Sequence, residues 1–106
     1  MKIKLSPMRM DETLTASVHG DSIKINDVNF DFGQLEDGES LPASAVNSPW
    51  VCGAVYRKNG EINLTLILPH GANAPHETRF PSALTEPMTI VSGLVKLPPY
   101  DAEEVA

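Results

Sequence analysis

Residues 50–69 read WVCGAVYRKNGEINLTLILP, two β-patterned runs joined by Asn59-Gly60. A two-residue type I′ loop needs φ > 0 at both central positions, which Asn-Gly adopts at little steric cost. Closing a hairpin there pairs Lys58 with Glu61, Tyr56 with Asn63, Val55 with Leu64, Gly53 with Leu66 and Val51 with Leu68. One face then carries Val51, Val55, Ile62, Leu64, Leu66 and Leu68, interrupted by Gly53 and by Arg57 near the tip. The other face is polar at the tip (Lys58, Glu61, Asn63, Thr65) and apolar at the open end (Trp50, Cys52, Ile67). A slip of one residue would send every leucine to the wrong side, so the register is strongly specified.

The remaining segments supply more strands. Ile3 and Leu5 alternate with Lys2 and Lys4, which predicts a short edge strand ended by Pro7. Residues 14–32 predict a meander, with Gly20-Asp21 as a II′ loop and Asn26-Asp27 as a second tight turn. Both registers place Leu14, Ala16, Val18, Ile23, Ile25, Val28, Phe30 and Phe32 on one face, the alternation of a sheet with one solvated side. An acidic loop, GQLEDGES, follows at 33–40. Leu41 to Asn47 suits one or two helical turns, with Ser40 as cap and Pro42 in the first turn. The proline-rich stretch 69–82 predicts a surface loop, with an extended piece at 77–80 whose Phe80 plugs into the core. Met88 to Leu97 reads either as a hairpin around Ser92-Gly93 or as one strand, ended by Pro98-Pro99, after which Tyr100 folds back. Two apolar sheet faces need each other as cover. The expected fold is therefore all-β, a small antiparallel sandwich or partly open barrel with at most one short helix. Residues 1–100 form its single domain, and 101–106 (DAEEVA) an acidic, disordered tail.

Composition narrows the function. The formal net charge is −6, and the eight basic residues are scattered, which argues against nucleic acid and against an anionic membrane surface. A single cysteine excludes an internal disulfide framework and points to a reducing cytoplasm. The opening MKIKLSPMRMDE has no apolar h-region, and no stretch reaches the about 20 apolar residues of a membrane span.

Few residues offer chemistry. His70, His76 and Glu77 are the best metal candidates, but their spacing matches no zinc pattern and they read as loop residues. Cys52, mid-strand beside Trp50 and Ile67, reads as a buried small hydrophobe. The carboxylates at 11, 12, 36, 37 and 39 read as solvated loop charge, and no phosphate-binding glycine motif is present. No nucleophile–base pair or metal set assembles, so the expectation is a non-enzymatic protein without metal or cofactor. His70, His76 and Arg79 form one local basic cluster, suited to contact with a protein partner.

Three segments, MKIKLSPMRMDETLTASVHGD, LTLILPHGANAPHETRFP and LPPYD, resemble small uncharacterised proteins encoded in the tail-gene region of prophages and tailed phages. The resemblance reaches to about Asp101. It implies an accessory role in the tail or its assembly, with phage tail proteins as partners and a place in the host cytoplasm or on the virion. It carries no catalytic residue. The competing class is a binding or regulatory module acting on a host protein.

Overall fold

The computed structural model describes residues 1–101. Strands β6 (Val55–Lys58) and β7 (Glu61–His70) form the hairpin, with Lys58 opposite Glu61, Arg57 opposite Ile62 and Tyr56 opposite Asn63. Asn59 and Gly60 have φ of 52° and 79°, the signs of a I′ turn. Before Val55 the ladder breaks: Gly53 swings to φ 77° and Val51 bridges Leu66. This corrects the expected pairs Gly53–Leu66 and Val51–Leu68. Because the offset is two residues, side-chain parity survives. Val51, Val55, Ile62, Leu64, Leu66 and Leu68 are all buried as expected.

The N-terminal strand differs more. β1 (Lys2–Arg9) is an interior strand, parallel to β7 from Lys2–Asn63 to Arg9–His70. Its other side meets β8 (Met88–Thr89) only at Lys2 and Ile3. Pro7 therefore sits in the strand without ending it, where β1 has no second neighbour to need its missing N–H. With β5 (Ser40–Leu41) on β6, the first sheet has the order β5-β6-β7-β1-β8.

The meander forms as its turns dictate. β2 (Ala16–His19), β3 (Ser22–Ile25) and β4 (Val28–Asp31) pair in the expected registers. Gly20 has φ 59°, and Asn26 and Asp27 have φ 45° and 69°, a I′ turn without glycine. The Asn26 side chain compensates: its Oδ1 accepts from Thr15 N–H at 2.8 Å and its Nδ2 donates to Thr13 O at 3.2 Å. β9 (Ser92–Leu94) completes a second sheet, β4-β3-β2-β9. Leu14, Ala16, Val18, Ile23, Ile25 and Phe32 are buried in one core cluster with the first sheet's leucines, and Phe30 packs half-buried against it. Val28, expected inside, is exposed at the edge strand.

The protein is thus a small all-β fold of two antiparallel-rich sheets around a shared core, with helix confined to single turns among the described residues. α1 (Ala43–Val46) lies within the expected helical stretch, but Pro42 is its N-cap and the expected cap, Ser40, is in β5. Residues 69–82 are more ordered than a loop. β7 runs on to His70, α2 (His76–Arg79) replaces the expected extended piece, and a 3-10 turn covers Ser82–Leu84. Residues 88–97 form neither a hairpin nor one strand within a sheet: β8 joins the first sheet and β9 the second. Tyr100 folds back, its carbonyl accepting from Gly71 N–H at 2.8 Å and its hydroxyl donating to the Met10 carbonyl. Of the expected tail, Asp101 accepts from Asn73 N–H at 3.0 Å, and 102–106 lie outside the described residues.

Candidate functional site

The site is built on the segment after β7. Each of its two turns starts at a proline in extended conformation, Pro75 and Pro81, whose fixed φ and absent N–H suit a helix start. Winding 76–79 into a turn decides which side chain goes inward. Thr78 is fully buried, and its hydroxyl donates to Pro99 O at 2.6 Å. Phe80, expected in the core, is 61% exposed and stacks against His76, with ring centroids 4.9 Å apart.

A groove of about 570 Å³ lies between this segment and residues 96–99. Leu5, Ala83 and Met88 contribute its apolar floor, and His76, Phe80 and Lys96 its rim. Among the described residues Glu77 is the one carboxylate that lines it. Arg79, on the same helical turn as His76, is exposed and has no salt bridge among the described residues. His70 does not join them. It ends β7 opposite Arg9, is half-buried, and keeps Nδ1 3.0 Å from Gly71 O. The sequence cluster His70, His76 and Arg79 therefore separates into a pair on α2 and a histidine on the sheet.

The other candidates are dispersed. Cys52 is exposed, not buried as expected: its N–H still donates to Thr65 O at 2.9 Å, and next to the buried Val51 its side chain falls on the outer face of the sheet. Among the described residues no three His, Cys, Asp or Glu side chains gather as metal ligands. Arg9 donates to Asp11 at 2.9 Å, and that hydrogen bond raises the pKa of its guanidinium. No helix among the described residues is long and apolar enough to cross a membrane.

Sequence reasoning missed the groove because its walls come from β1, α2, the 3-10 turn and residues 96–99, with no common local signal. Fold and site together define a small two-sheet β protein with a surface groove that has an apolar floor and a rim of His76, Phe80 and Lys96. Comparison with protein-family models, with curated proteins and with solved structures finds no match.

Proposed function

We propose that this chain is a non-enzymatic accessory protein of a prophage or tailed phage, serving tail structure or assembly by protein–protein contact through α2 and its groove. The observation that supports a contact role is Phe80. A ring left 61% exposed beside a groove, against His76, has the character of an interface anchor. The tail context rests on the resemblance of the opening, the 64–81 stretch and the LPPYD segment.

The test is affinity purification from cells carrying the parent element, with identification of what is recovered. The expected result is a tail-region protein that is retained by the wild type and by His70→Ala, and lost with the folded triple variant H76A/R79A/F80A. A host protein recovered through the same surface replaces the tail role with a regulatory one. Unchanged recovery by the triple variant removes α2 from the contact.

A further inference from the structure

We infer that the outer face of the first sheet holds a binding site for a phosphate group, set around Lys2 and Lys4. The inference stands apart from the contact role of α2, because both lysines alternate along β1 with Leu5, which floors the groove on the other face. The break in the β6–β7 ladder hollows the outer face. Tyr56 pairs with Asn63 and Val51 bridges Leu66, so residues 52–55 on one side face only 64 and 65 on the other. A bulge of this kind bends its strand and disrupts the ladder locally. The hollow lies against it, with Ala54 on its wall, and measures about 130 Å³. That is the volume of roughly four waters, the scale of one tetrahedral oxyanion. Lys2, Lys4, Tyr56, Asn63 and Thr65 give it a polar lining.

The charges that line the hollow are of one sign. Among the described residues no carboxylate lines it, although the chain carries 14 acidic against 8 basic residues. Glu61, on the same face of β7, stands opposite Lys58 and 3.9 Å from the Met1 ammonium, so its charge is matched there. Lys4 is exposed and makes no salt bridge among the described residues. Lys2 gives one N–H to Thr89 Oγ1 at 2.6 Å, which leaves two of its three donors. Both lysines stand on an interior strand, Lys2 opposite Asn63 and Lys4 opposite Thr65. Their Cα atoms are about 7 Å apart, so the two ammoniums can reach one anion. Two cations without a counterion favour a dianion over a monoanion, and a phosphate monoester is close to that charge at neutral pH. The net charge of −6 opposes any anion from a distance, so saturable binding here reports the local lysines.

The test is an NMR titration of the isotopically labelled full chain, at neutral pH and constant ionic strength, with inorganic phosphate, phenyl phosphate and acetate. Phosphate and its ester are expected to shift the amides of Lys4, Ala54 and Thr65 saturably at millimolar concentration, and acetate to bind about tenfold more weakly. Lys4→Gln and, separately, Lys2→Gln, each checked for a native spectrum, are expected to weaken phosphate binding about tenfold. Tighter binding of phenyl phosphate than of phosphate supports an ester whose ring lies against Tyr56. The reverse order supports free phosphate, and either order upholds the site. Acetate binding as tight as phosphate overturns the inference. So do undiminished binding by the lysine variants, shifts confined to other surfaces, or no saturable shift at all.

Discussion

Arg57 lies on the apolar side of β6, where a charge is costly unless paired and hydrogen-bonded. Its guanidinium meets that condition. Nη2 donates to Asp21 Oδ2 at 2.9 Å and Nη1 to Gly60 O at 3.0 Å, and Nε reaches the Leu35 carbonyl. The side chain is only 13% exposed and ties the hairpin tip to the Gly20-Asp21 turn of the second sheet and to the acidic loop. Arg57→Ala leaves these carbonyls and Asp21 without their donor, and is expected to cost about 2–4 kcal/mol by urea unfolding. Arg57→Lys should restore only part, because an ammonium cannot reproduce the planar fork. A loss below about 0.5 kcal/mol, the range of neutral surface changes, would show the cluster to be idle. Gly71 makes a second residue-scale case. A Cβ there would overlap the Asp101 carboxylate, whose Oδ1 is bonded to Asn73 N–H. Gly71→Ala is expected to destabilise by about 1 kcal/mol through loss of that hydrogen bond, and to add nothing in an Asp101→Ala background. Equal penalties in both backgrounds would point to the backbone instead.

At the scale of elements, the β6–β7 pair and the C-terminal strap behave differently. The hairpin is held by its tip turn and its leucines. Leu66 is fully buried, and Leu66→Ala is expected to cost about 2–5 kcal/mol. Solvent-like amide exchange across 62–68 in the wild type would contradict that core. The strap 98–101 is held by few bonds: Thr78 Oγ1 to Pro99 O, Gly71 N–H to Tyr100 O, the Tyr100 hydroxyl to Met10 O, and Asn73 N–H to Asp101. Thr78→Val keeps the volume but removes the hydroxyl. It is expected to cost about 1–2 kcal/mol and to raise exchange of the Gly71 and Asn73 amides, which donate to the strap, before anywhere else. Uniformly raised exchange would mean that the strap is integral to the core.

The whole molecule depends on contacts far apart in sequence. β1 pairs with β7 across some sixty residues, Ile3 opposite Leu64, and the Met1 backbone reaches Ile90 at 2.9 Å. Loop-closure entropy opposes such contacts until much of the chain is in place. Refolding is therefore expected on the millisecond-to-second scale of non-local β proteins, as read by stopped-flow fluorescence of Trp50. Complete refolding within microseconds would contradict the β1–β7 pairing. Removing residues 1–9 takes away an interior strand along with the buried Ile3 and Leu5, so no dispersed NMR spectrum is expected from the remainder.

Three turns and two faces were legible in the sequence alone. Asn59-Gly60, Gly20-Asp21 and Asn26-Asp27 each set the hand and register of their strands through φ preferences that act within a few residues. Side-chain alternation then decided which residues faced inward, and this held even where the β6–β7 ladder slipped by two at Gly53. Tertiary structure decided the rest. No local pattern names β7 as the parallel partner of β1, or divides 88–94 between two sheets. None places Arg57 against Asp21. At 76–80 a helical turn replaced an extended piece, and the change of period from 2 to 3.6 residues turned Phe80 away from the face it would share with Thr78 in a strand, leaving Thr78 at the core. The groove follows from that change, because it forms only where the turn packs against β1 and residues 96–99.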